Sequence, residues 1–192
     1  MSIAELPRKM TTEELLAMPD DGVERWLIRG ELRENTEIDM NRRNPDHGRT
    51  CSRITTFLTN WALAQRKPKG GVYVGDTMFQ LRPDSESTVG IDVAYVSPEL
   101  ESRTPRGSKV VDGVPIIAVE VLLPSDKNEN ITEKVKEYLD AGVAQVWVAN
   151  PDFDVITVYR SDAEPVSFNR QQDLAAEPEL PGFCVRVAEL FE

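Results

Sequence analysis

The chain has 192 residues, 40% of them hydrophobic and 29% charged, and its 33 acids against 22 bases give a net charge of −11. That length suits a single domain over residues 1–192, with a core large enough to need neither disulfides nor a structural metal. The charge excludes a surface coated in Lys and Arg for non-specific nucleic-acid binding, and no apolar run is long enough to span a bilayer. The opening MSIAELPRKMTTEELL lacks the apolar core of a secretory signal, so the chain reads as cytoplasmic with no membrane partner. Cys51 and Cys184 stand far apart and form no CxxC pair, which suggests neither a zinc site nor a disulfide; Cys51 is expected in the core.

In chain order, Thr11-Thr12-Glu13-Glu14 before Leu15 reads as a capping box, with Met10 and Leu15 placed as a hydrophobic staple. A short helix results, ending near Pro19-Asp20-Asp21-Gly22. Trp26, Ile28 and Leu32 then alternate as two strands turning at Arg29-Gly30, with Glu24 at the entry. From His47 to Gln65 the apolar positions Cys51, Ile54, Phe57, Leu58 and Trp61 recur with helical period behind the start signal Asn44-Pro45-Asp46. His47, the one histidine, falls in the first turn of that helix. The segment Asn41 to Gly70 carries Arg42, Arg43, Arg49, Arg53, Arg66, Lys67 and Lys69 against Asp46 alone. In an acidic protein this is a local basic patch, either a solvated helix or a phosphate-facing surface.

Strands are expected at 72–81 and 89–96. Alternation in the second sets Val89, Ile91, Val93 and Tyr95 on one face and leaves Asp92 with Ala94 and Val96 on the other, among apolar neighbours. Ser97 to Gly113 reads as a long polar connection. Ile116 to Leu122 is a continuous apolar run, as in a strand covered on both faces, yet Glu120 sits inside it. A buried carboxylate needs a cation, a metal or strong hydrogen bonds to hold it. After a break at Pro124-Ser125-Asp126, Ile131, Val135, Tyr138 and Leu139 mark one face of a helix that carries Lys134 and stops at Ala141-Gly142. Strands at 143–149 and 155–159 and a turn-rich acidic tail complete the chain, with a docking segment after Leu180-Pro181-Gly182-Phe183.

TTEELLAMPDDGVERWLIRGEL, His47 at a helix start, IDVAYVSPE, VEVLLPSD, EKVKEYLDAGVAQVWVANP and LPGF, in this order and spacing, resemble the Uma family of restriction endonucleases within the PD-(D/E)XK nuclease superfamily. The resemblance covers nearly the whole chain. It implies an α/β fold (α+β mixed), a restriction-endonuclease-like central mixed sheet flanked by helices. It places Asp92 at the aspartate of the PD motif and Glu120 at the following acid. Ile91 stands where the family usually has proline, and Leu122 where the wider superfamily has its lysine. The lysine then comes from the next helix, in a Lys-x-x-x-Tyr pattern matched by Lys134 and Tyr138, with Lys136 the weaker substitute. Glu24 and His47 fall on positions where the family tends to have Glu and His.

The implied activity is metal-dependent hydrolysis of DNA phosphodiester bonds. Asp92, Glu120 and the Val121 carbonyl would hold Mg²⁺ or Mn²⁺, hard ions that prefer oxygen. Lys134, Glu24 and His47 would serve the catalytic step, and Arg42, Arg43, Arg49 and Arg53 would meet the DNA. Cutting two strands favours a symmetric homodimer. The alternatives are a nuclease fold kept as a DNA-binding or oligomerising module, with Glu120 and Lys134 as a structural ion pair.

Overall fold

The computed structural model of the protein describes residues 8–35, 44–66, 68–82, 84–124 and 126–192. The chain opens with α1 (Thr12–Leu16), where Thr11 and Glu14 form the expected capping box. A hairpin of β1 (Glu24–Ile28) and β2 (Glu31–Asn35) follows. Its turn places both Arg29 (φ 54°) and Gly30 (φ 80°) in the left-handed region, the geometry that matches the twist of two paired strands. Next comes α2 (Pro45–Ala64), started by the Asn44 side chain, which accepts from the His47 N–H at 2.8 Å, and by Pro45 in the first turn.

Then come β3 (Gly71–Arg82), β4 (Ser87–Val96), α3 (Pro98–Arg103), β5 (Val111–Asp112) and β6 (Ile117–Val121). The segment expected to be a plain polar connection therefore holds a helix and a short strand. The helix start is encoded in Ser97-Pro98: the Ser97 hydroxyl caps Leu100 N–H at 3.2 Å and the proline opens the first turn. The remaining elements are α4 (Asn128–Ala141), β7 (Gln145–Asn150), β8 (Val155–Arg160), β9 (Ala163–Phe168), β10 (Asp173–Ala175), β11 (Cys184–Arg186) and a final 3-10 turn at Val187–Leu190.

Among the described residues, nine strands make a mixed sheet in which β2, β1, β4, β6, β7, β8 and β9 follow one another and β3 pairs with β4 and β5. β6 and β7 are parallel and joined through α4, while β7–β8 and β8–β9 are antiparallel. One face of the sheet packs Val93, Tyr95, Ile117, Val119 and Trp147 against Cys51, Ile54, Leu58 and Ala62 of α2 and against Leu180, Phe183 and Leu190 of the tail. The other packs Ala94, Ala118, Val146 and Val148 against Val135 and Tyr138 of α4. The helices so flank the sheet as the apolar periodicities required.

Gly142 ends α4 with φ +102°, and the N–H groups of Gly142 and Val143 return to the carbonyls of Leu139 and Tyr138. A Cβ there would meet nothing within 4 Å, so the cost of Gly142→Ala is backbone strain alone. We expect a loss of about 1 kcal/mol in urea unfolding, with an unchanged m-value.

Two features of β4 set the geometry at its centre. β3 occupies one edge of β4 along its length, from Gly71 opposite Val96 to Arg82 opposite Ser87. On the other edge β4 pairs with β1 at Thr88 and with β6 at Val93 to Tyr95. Between those ladders the sheet forks. In addition, the β3–β4 register shifts between Val74 and Thr77, where Gly75 and Asp76 both take positive φ, and Asp92 lies opposite that shift. The single alternation expected for β4 breaks there: Val89 and Ile91 pack in one cluster with Ala94 and Val96, whereas Val93 and Tyr95 pack in the other. A bulge bends and twists its strand pair and re-aims the side chains beside it.

Candidate active site

Asp92 is carried to the fork by β4 and Glu120 by β6, and both are buried, at 7% and 5% exposure. Val93 pairs with Val119 in the antiparallel ladder, so the next residue outward on each strand is the acid, and the two face one another across the strand pair. At this end of the ladder the Val121 N–H donates to Asp92 Oδ2 at 2.8 Å. Asp92 Oδ1 lies 3.3 Å from His47 Nε2, which the first turn of α2 brings over the sheet.

Glu120 is held from α4. Lys134 Nζ donates to Oε2 at 3.1 Å and the Tyr138 hydroxyl to Oε1 at 2.6 Å, one helical turn apart and therefore on one face. Lys134 Nζ also lies 3.5 Å from Glu24 Oε1 and 5.2 Å from the centroid of the Trp26 ring. β1 thus supplies the far wall of the fork. Glu24, His47, Asp92, Glu120, Val121 and Lys134 all line one cleft of about 740 Å³, together with Asp126 and Asp76. Lys136 is exposed and does not line the cleft.

The electrostatics follow from burial. Desolvation pushes Glu120 up to about 7, reinforced by the charge of Asp92 and only partly offset by Lys134 and Tyr138. Burial also acts to raise Asp92, but the hydrogen bond and charge of His47 and the Val121 N–H outweigh it and hold that carboxyl below the ordinary value. Lys134 is raised: burial opposes its charge, and the carboxylates of Glu120, Glu24 and Asp92 more than compensate. Tyr138 is raised well above its ordinary value, by burial first and then by the neighbouring Glu120 charge. The cleft therefore holds one carboxylate kept ionised, one poised near neutrality and one firmly charged ammonium.

Arg49 and Arg53 of the basic patch do not line this cleft. Arg49 is exposed and pairs with Asp46 at 2.7 Å, and Arg53 Nε donates to the main-chain carbonyl of Glu192 at 2.7 Å. Arg42 and Arg43 lie outside the described residues. Sequence reasoning missed Trp26 as a partner of Lys134, and it missed Asp126, which is raised by burial and accepts from the Leu123 N–H at 2.8 Å. It missed Glu137 as well, a buried acid on α4, engaged by Arg29 at 3.0 Å, Arg82 at 3.1 Å and the Ser87 hydroxyl at 2.7 Å. The signal for Glu137 is its place three residues past Lys134, on the sheet-facing side of the helix.

Among the described residues no helix is long and apolar enough to cross a membrane. Comparison with curated proteins finds no match. Among solved structures the chain is similar to one described as a "putative nuclease belonging to DUF820" from Anabaena variabilis, with a TM-score of 0.78 and 16% identity over 95% of this chain and 97% of that one. At that identity the likeness establishes the fold, a nuclease-like mixed α/β architecture. Residues 12–188 match the Uma2 family model, whose description is "Putative restriction endonuclease", and the chain belongs to that family.

Proposed function

We propose that the protein is a metal-dependent endonuclease that hydrolyses DNA phosphodiester bonds in the cleft at the sheet fork. The observation that carries this reading is the meeting of two buried acids from adjacent strands with a buried lysine, a histidine and a third acid, brought from distant parts of the chain. The donor set fits a hard divalent ion such as Mg²⁺ or Mn²⁺, because Asp92, Glu120 and the Val121 carbonyl offer oxygen only and the surrounding charge is negative. When bound, such an ion supplies the positive charge that activates water and offsets charge growing on the phosphate.

The chain's own groups do the rest. Lys134 stays charged and, 3.1 Å from Glu120, is placed to neutralise the phosphate oxygens or orient the attacking water. His47, held by Asp92 on a helix N-terminus, is suited to a phosphate oxygen or to handling a proton. Glu24, 41% exposed, faces the mouth, where it would hold a water or a second ion. Arg49 and Arg53 sit on the exposed side of α2 beyond His47, placed for backbone phosphates. Cleavage of both strands would be served by a homodimer.

A second reading has its own support. Every carboxylate oxygen of the pair already has a protein partner: His47 and Val121 for Asp92, Tyr138 and Lys134 for Glu120. A closed network of this kind is also what a purely structural ion pair looks like. Nicking of supercoiled plasmid with Mn²⁺ or Mg²⁺, beside a chelator control, tests the enzyme directly. Thermal unfolding separates the two readings without a substrate. At Mn²⁺ a hundredfold above its dissociation constant, binding adds about 2.7 kcal/mol, a rise of roughly 5–10 °C for a chain of this size. At one fixed Mn²⁺ concentration the rise is larger at pH 8 than at pH 5, because below about 7 the ion must displace the proton on Glu120 and its dissociation constant is higher. A melting temperature indifferent to Mn²⁺ at both pH values supports the structural pair.

A further inference from the structure

Cys51 stands one turn after His47 on α2, so the two side chains share a face, and Cys51 Sγ lies 3.7 Å from His47 Nδ1. Asp92 reaches the same point from β4, its Oδ1 3.3 Å from His47 Nε2. One ring nitrogen, the thiol sulfur and a carboxylate oxygen lie within 4.8 Å of one another, and all three residues are buried, at 3%, 8% and 7% exposure. Donors bound to one tetrahedral zinc, at about 2.0–2.3 Å from the metal, stand roughly 3.3–3.8 Å apart. The 3.7 Å and 3.3 Å separations fall on opposite nitrogens of the His47 ring, of which one ion takes one, so closing the set needs the Cys51 thiol or the Asp92 carboxylate to swing onto the nitrogen that binds, within the 4.8 Å that the three donors already span.

We infer that His47, Cys51 and Asp92 form a second metal site, selective for a borderline thiophilic divalent ion such as Zn²⁺, Co²⁺ or Cd²⁺. A thiolate and an imidazole are poor ligands for Mg²⁺ and good ones for these ions, so the chemistry of this corner differs from the oxygen-only pair of Asp92 and Glu120. Two of the ligands line the cleft, which gives the ion a path in and leaves its fourth position to water. Binding converts the Cys51 thiol to a metal thiolate and releases its proton to solvent. The inference stands whether or not the cleft cleaves DNA.

Co²⁺ is the probe, because a sulfur ligand gives it a thiolate-to-metal charge-transfer band and tetrahedral geometry gives it intense visible bands. Titration of the chelator-stripped protein should show both at one equivalent, and Zn²⁺ should bleach them. Cys51→Ser and Cys51→Ala remove the charge-transfer band; the pair guards against one of them failing to fold. Cys184→Ser, at the exposed cysteine, and Glu120→Gln both keep it. His47→Gln and Asp92→Asn weaken Co²⁺ binding by about tenfold or more. Absence of the band from the wild-type protein, or its survival in folded Cys51 variants, overturns the site.

Discussion

We expect Asp92→Asn and Glu120→Gln each to slow plasmid nicking by on the order of 10³-fold while the far-UV circular dichroism stays that of the wild type. Both replacements keep size and shape, so the ladder around Val93 and Val119 and the packing under α4 are undisturbed. What changes is charge. Asn at 92 still accepts from the Val121 N–H, but it removes the carboxylate that His47 holds ionised. Gln at 120 still accepts from Tyr138, while it abolishes the group that burial lifts to about 7. Removing that poorly solvated charge also spares the fold a desolvation cost, so Glu120→Gln does not unfold the protein, and Lys134 keeps Glu24 as a partner. Nicking within about tenfold of wild type in either folded variant would remove the acid pair from catalysis.

Lys134→Met acts on the opposite partner and is felt first in stability. The methionine fills the volume but leaves Glu120, 5% exposed, without its cation. Stranding one member of a buried pair costs about 3–5 kcal/mol. The sign with pH follows from the raised Glu120: the folded state binds its proton more tightly than the unfolded chain, so stability is fully present below the ordinary value of 4.5 and is lost as pH rises through about 7. Loss of Lys134 moves the folded value higher still. Urea unfolding of Lys134→Met should therefore lie close to wild type up to about pH 7 and fall behind it above that, by at most about 1.4 kcal/mol per pH unit until the full cost is reached, and nicking should be lost throughout. A pH-independent deficit would assign the loss to packing rather than to the ion pair. Lys134→Arg, which restores the charge, should recover much of the stability.

Much of this arrangement is legible in the sequence because each acid breaks a local rule. Glu120 interrupts an apolar run and Asp92 sits among residues that must face a core, so the pattern of neighbours alone says that both need a partner. Lys134 and Tyr138 are readable as a pair because a helical turn separates them and the apolar stripe of α4 fixes which side faces the sheet. The bulge opposite Asp92 is not readable. Its signal is Gly75-Asp76 inside a strand, and which neighbour slips register there depends on pairing with β4, a tertiary fact. Trp26 and Cys51 are hidden for a different reason, since each looks like an ordinary core residue until its distance to Lys134 or His47 is known. The helix after Ser97 is masked by the charges of its segment, although its cap and proline mark the start.

The fork in the sheet has a bearing on folding. The β1–β2 and β3–β4 hairpins and the β6–α4–β7 unit each draw on neighbouring stretches of chain, and each can gain its contacts at little loop-closure cost. The cleft belongs to none of them. Glu24 comes with the first unit, His47 with the helix that follows it, Asp92 with the second hairpin, and Glu120 and Lys134 with the third. Their like charges repel until Lys134 and His47 arrive to separate them, so these groups assemble only when independently formed pieces dock. Recovery of activity on refolding is then a clock for the last long-range step, and it should lag behind the return of helical and strand signal.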